Sequence, residues 1–84
     1  MIAEDRIHAA LSTIFSDVFL RDDIEISNDL SARDVEDWDS FKHIEIVMAC
    51  EEAFGMKFTS AELDNLSTLG DMVKVIAARG KLPD

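Results

Sequence analysis

From about Ile2 to Phe19 the apolar residues Ile7, Leu11, Ile14, Phe15 and Val18 recur at helical spacing. Glu4 and Asp5 fall in the first turn, where negative charge favours the helix dipole. The pattern predicts an amphipathic helix of moderate length. It then lapses. Residues 20–39 scatter Ile24, Ile26, Leu30, Val35 and Trp38 without a sustained stripe, among eight acids and two bases. Ordered loops of this length are uncommon in compact domains and are usually functional or carry short helical turns. The apolar residues in it predict that it packs down on the core.

Periodicity returns from Ser40 to Phe54, behind Asp39-Ser40, both good helix-capping types. At about 100° per residue, Ile46, Val47, Cys50, Ala53 and Phe54 share one face. The opposite face carries Phe41, Glu45, Met48 and Glu52. A purely solvated face would not need the bulky apolar pair, so this side is a candidate partner surface. Gly55 is placed to stop the helix as a left-handed cap. Thr59-Ser60-Ala61-Glu62 has the pattern of a capping box and predicts a short third helix through Leu66. Thr68-Leu69-Gly70-Asp71 opens a fourth, with Leu69, Met72, Val73 and Ile76 as its apolar side and Gly80 and Pro83 ending it. The sum is all-α: a small four-helix bundle with a long loop between helices one and two and a short third helix.

Length and charge narrow the function. The 84 residues suit one domain, residues 1–84. Acids outnumber bases 18 to 8, for a net charge of -10. That argues against nucleic acid, whose phosphate backbone is bound through Lys and Arg, and against anionic membranes. Partners are expected to carry basic docking patches, and the charge speeds encounter with them. One Cys makes no internal disulfide, and no CxxC offers a zinc site. The N-terminus has acids where a signal peptide has a basic start, and no apolar run approaches the roughly 20 residues of a membrane span. The expectation is a free-standing, cytoplasmic monomer without membrane insertion.

Several chemistries fail on inspection. An EF-hand loop counted from Asp34 runs through Glu36 and Trp38 and puts Asp39 where the turn glycine belongs. No metal site is expected. Ser40 and His43 are helix neighbours, but no strand-to-helix elbow or oxyanion glycine accompanies them. His43 is read as a packed, hydrogen-bonded histidine and His8 as an ordinary helix residue. Cys50 lies mid-helix on the core stripe without a cationic neighbour, a setting that leaves a thiol inert. What remains is Asp39-Ser40-Phe41. Asp-Ser before a helix is most often only a cap. Here the serine ends an acidic loop and starts a helix, where free N–H groups and the dipole tolerate a negative group. Its hydroxyl is therefore a candidate for a phosphate-linked attachment.

The string Trp38-Asp39-Ser40-Phe41, then Ile44-Glu45-Ile46-Val47-Met48-Ala49-Cys50-Glu51-Glu52-Ala53-Phe54-Gly55, resembles the acyl carrier proteins. Phe58, Leu63, Leu66-Ser67-Thr68-Leu69-Gly70-Asp71 and Ile76 extend the likeness over essentially the whole chain. The resemblance implies a carrier and not an enzyme. Ser40 would receive 4'-phosphopantetheine from coenzyme A, added by a Mg-dependent phosphopantetheinyl transferase, with Asp39 positioning the metal or basic residues of that transferase. The arm would present acyl thioesters to acyl-activating, synthase or acyltransferase enzymes of fatty-acid, modified-lipid or polyketide-type biosynthesis. Phe41, Glu45, Met48 and Glu52 would dock those partners. Ile44, Val47, Leu63, Leu66 and Ile76 are the apolar candidates for an acyl pocket.

The motif departs from the housekeeping pattern. Phe41 stands where the family usually has Leu, and Trp38 where fatty-acid carriers commonly have Gly or Ala. Lys42 stands where those carriers often have an acid. Trp-Asp-Ser followed by His43 resembles carriers of specialised pathways. Two alternatives stay open: an aminoacyl or peptidyl carrier, and an acidic helical adaptor that is never modified.

Overall fold

The computed structural model describes residues 3–81. Four helices follow in order: α1 Glu4–Phe19, α2 Ser40–Phe54, α3 Ser60–Asp64 and α4 Leu69–Arg79. No strand occurs among the described residues. Of the expected boundaries, Ile2 and Pro83 lie outside the described residues.

Helix α1 turns Ile7, Leu11, Ile14, Phe15 and Phe19 inward, while Val18 is only half-buried. It packs against both α2 and α4. From α2 come Ile46, Val47, Cys50 and Phe54, and from α4 Leu69, Met72, Val73 and Ile76. Full burial of side chains of this size stabilises by about 1.5–3 kcal/mol each, so this apolar seam is the main force holding the bundle.

The long loop packs down as its pattern requires. Leu30 and Val35 are buried, and Ile24, Ile26 and Trp38 rest against the core. Three successive turns shape it, with the N–H groups of Leu30, Asp34 and Trp38 donating to the carbonyls of Ser27, Ser31 and Val35. Its middle is tied to the start of α4. Leu69 N–H donates to the Leu30 carbonyl at 2.7 Å and Gly70 N–H to the Asn28 carbonyl at 2.9 Å. Asn28 in turn receives His8 Nε2 at 2.9 Å and donates to Glu4, both on α1.

The remaining joints are local caps. Gly55, at φ 58°, closes α2 in the left-handed region and sends its N–H to the Glu51 carbonyl. The Glu51 carboxylate accepts the Phe58 N–H at 2.9 Å and fixes the following turn. At α3 the Thr59 hydroxyl accepts the Glu62 N–H while Glu62 accepts the Thr59 N–H, the reciprocal box. The α3 helix stops at Asp64, two residues short of the expected Leu66. Asn65 leaves the helical backbone at φ -99°, and its side-chain amide donates to the Ala61 carbonyl. Gly80 ends α4 with extended backbone and an N–H bond to the Ile76 carbonyl.

Candidate functional site

The loop delivers Trp38 to the head of α2. Its ring meets Phe15 edge-on at 5.2 Å between centroids, lies 6.3 Å from Phe19, and stacks against His43 at 6.2 Å with 25° between planes. Asp39 follows in extended backbone as the N-cap. Its carboxylate accepts the Lys42 N–H at 2.9 Å, and its carbonyl accepts the His43 N–H at 2.9 Å. Ser40 is then the first residue of α2, and it is exposed.

This is favourable ground for an anionic substituent. The first N–H groups of a helix have no partner within it, and the dipole places partial positive charge there. The Asp39 carboxylate is engaged by the Lys42 N–H. An open trough of about 460 Å³ beside Ser40 is lined by Ala32, Trp38, Asp39, His43 and Ile44. A flexible arm joined through a phosphodiester on Ser40 fits these residues.

Lys42 acts elsewhere. Its ammonium donates to the Val18 carbonyl at 3.1 Å and stands 3.8 Å from Glu45. Val18 lies in the last turn of α1, which contains no basic residue. Lys42 thus supplies from another helix the positive charge that a helix C-terminus favours. The sequence pattern marks Lys42 only as a departure, because nothing local connects it to Val18.

The remaining expected site residues divide by face. Phe41 and Met48 are exposed at 79% and 62%, and Glu45 and Glu52 are exposed beside them. Ile44 is 55% exposed at the trough. Val47 is buried, Leu63 and Leu66 are half-buried, and Ile76 is fully enclosed in the core. Leu66 also lines a small cavity of about 50 Å³ with Trp38, His43, Ser67, Thr68 and Met72.

His43 is packed by stacking on Trp38; among the described residues its ring makes no hydrogen bond, where a hydrogen-bonded histidine was expected. His8 bonds Asn28, away from the trough. Cys50 is fully buried, 3.7 Å from the Met72 sulfur. Burial, with a smaller contribution from Glu51, pushes its thiol up to about 12, far from a thiolate at neutral pH. Among the described residues no group of three or more His, Cys, Asp or Glu is arranged to hold a metal ion. No helix among them is long and apolar enough to cross a membrane.

The family model of the phosphopantetheine attachment site matches residues 9–76. The acyl carrier protein of Acidothermus cellulolyticus is 33% identical over 90% of each chain. That of Thermotoga maritima is 29% identical over 90% of this chain and 94% of its own. The solution structure of the holo acyl carrier protein from Geobacter metallireducens superposes with a TM-score of 0.78 at 33% identity, covering 83% of this chain and 80% of that one. Fold and matched segment together define a carrier domain with covalently attached phosphopantetheine. The chain belongs to the acyl carrier protein family, whose members are carriers rather than catalysts.

Proposed function

We propose that Ser40 bears the 4'-phosphopantetheine arm and that the arm carries acyl groups as thioesters. The observation that carries this reading is an exposed serine hydroxyl at the first position of α2, inside the matched segment. The division of labour is chemical. Acyl transfer requires a mobile thiol, and the thiol of Cys50 is locked in the core. The arm supplies one. The apolar candidates for cargo are Ile44 at the trough and Leu66 at the small cavity, with Val47 and Ile76 in the core and Leu63 packed against it. Incubation with coenzyme A and a broad-specificity phosphopantetheinyl transferase should add one arm to the intact mass. Peptide mapping should put it on Ser40, and Ser40→Ala should abolish it. No mass gain would leave the unmodified adaptor; modification of the Ala variant would move the site.

The exposed face Phe41, Glu45, Met48 and Glu52 is the proposed docking surface for the transferase and for synthase or acyltransferase partners. Phe41 and Met48 offer apolar contact, and Met adapts to more than one surface. The two acids suit Lys and Arg. An exposed ion pair is worth only about 0–1 kcal/mol, so charge changes act mainly on association rate, which falls as salt rises. In Glu45→Lys with Met48→Ala, Ser40 modification should slow at low salt and lose much of its salt dependence. Unchanged rates with an intact fold would move docking to the loop around Asp34, Glu36 and Asp37. Trp38 and His43 beside Ser40 favour a specialised modified-lipid, polyketide-type or aminoacyl pathway over housekeeping fatty-acid synthesis.

A further inference from the structure

His43 has unused hydrogen-bonding capacity where an arm on Ser40 would leave the protein. Residues three apart on a helix are neighbours, with Cβ atoms about 5–6 Å apart. Helical side chains also lean toward the N-terminus. His43 therefore leans over the turn that Ser40 opens. Its stacking on Trp38, which precedes α2, holds the ring at that end of the helix. The indole covers one face of the imidazole, and the ring lines the same trough as Ser40. Among the described residues neither ring nitrogen makes a hydrogen bond, and neither is closed off from solvent as Trp38 Nε1 is. Of the residues lining the trough, His43 alone can carry a positive charge.

We propose that His43 is a positioning residue for the arm: its imidazolium donates to a phosphodiester oxygen at Ser40 and holds the root of the arm along the trough. The proposal rests on Ser40 being the attachment point. Few other charges compete. The loop brings Asp39, whose carboxylate accepts the Lys42 N–H. On α2 itself the Lys42 ammonium is turned to the Val18 carbonyl, with Glu45 3.8 Å from it. From α4 comes Asp71, engaged by the N–H groups of Ser67 and Thr68. From α1, Phe15 and Phe19 meet Trp38 and bring no charge. A charge-assisted bond to an anionic oxygen is roughly twice as strong as a neutral one. The phosphodiester keeps its charge across neutral pH, whereas imidazole ordinarily titrates near about 6.5. The pairing is therefore switched by His43: acid holds the root of the arm, and alkali frees it.

The sequence has two histidines, so each ring can be titrated by proton NMR with the other as its control. The titration is run on the apo form and on the holo form, whose loading is verified by intact mass and peptide mapping. An added anion favours the charged imidazole. The midpoint of His43 should therefore rise by about 0.5–1 from apo to holo at low salt, and by less as salt screens the pair. Asp39 is present in both forms, so its influence cancels. His8, bonded to Asn28 away from the trough, should titrate alike in both. The phosphorus signal of the holo form should move through the same midpoint as His43. In His43→Phe, which keeps a ring to stack on Trp38 but no donor, that movement should vanish. Equal His43 midpoints in apo and holo protein overturn the pairing, and so does a phosphorus signal that titrates unchanged in His43→Phe. The comparison of the two parent forms decides even where the variant fails to fold. Loading that fails, or that maps to a residue other than Ser40, overturns the attachment and the pairing together; a loaded Ser40 with unmoved midpoints overturns the pairing alone.

Discussion

Two single residues carry unusual backbone demands. Leu20 closes α1 at φ 55°, in the left-handed region, and its side chain is 87% exposed. A residue with a Cβ pays roughly 1–2 kcal/mol there, and the exposed leucine recovers little by burial. Gly removes the steric cost but loses more chain entropy on folding. The balance for Leu20→Gly is a gain on the order of 0.5–1 kcal/mol. For a chain of this size that is a rise of a few degrees in thermal melting; a fall would mean that Leu20 makes contacts its exposure does not reveal. Gly70 has the opposite sign. A Cβ there would stand 2.9 Å from the Asn28 backbone oxygen and 3.0 Å from the Asn28 Cβ. Overpacking of this kind costs about 1–3 kcal/mol. Gly70→Ala should lower the melting temperature and speed amide exchange at Leu69 and Gly70, whose N–H groups hold the loop. Normal protection at both amides would show that the loop yields freely.

Between elements the decisive contacts are carboxylates on backbone N–H groups. Glu62 accepts from Thr59 and pairs with Arg79, which also donates to the Lys57 carbonyl. Asp71 accepts from Ser67 at 2.9 Å and Thr68 at 3.1 Å. The Thr59 N–H chiefly holds Glu62 below its ordinary range, and the Ser67 and Thr68 N–H groups do the same for Asp71. A depressed carboxyl contributes stability above its unfolded pKa, about 4.3 for Glu and 3.9 for Asp. That contribution is lost as pH falls through the folded value. Glu62→Gln and Asp71→Asn should therefore melt below the parent at pH 7, with the gap closing as pH falls below about 4. A gap independent of pH would assign the loss to packing. The first cap is legible as Thr59-x-x-Glu62 because its partner lies three residues away; Thr68-Leu69-Gly70-Asp71 reads only as the start of α4, and its box came with the structure. Lys42 on the Val18 carbonyl and His43 on Trp38 were not legible, since both depend on how the loop returns to α2. Leu20 was equally hidden: the left-handed turn occurs without the glycine that usually announces it.

At the scale of the whole molecule, periodicity exposed α1, α2 and α4 because each buries a stripe in a shared core, whereas α3 buries no residue and was legible only from its capping box. The loop path was not legible, because it is set by hydrogen bonds to α1 and α4 that span 20 residues or more. The site was legible as a motif, while the walls around it came only with that path. The charge of -10 acts on all of this at once. The molecule measures 31 × 27 × 20 Å. At 0.01 M ionic strength the screening length is about 30 Å, so nearly every acid repels every other; at 0.1 M it is about 10 Å and only near neighbours interact. Self-repulsion opposes the compact state, most of all around residues 20–39 with their eight acids and two bases. Sodium chloride should therefore raise the melting temperature steeply between about 0.01 and 0.1 M and little beyond. Magnesium and calcium should act alike, at lower concentration than sodium through their charge. Scanning calorimetry across the three salts checks this; stabilisation by micromolar calcium with magnesium inert would contradict it and point to a specific calcium site in the acidic loop.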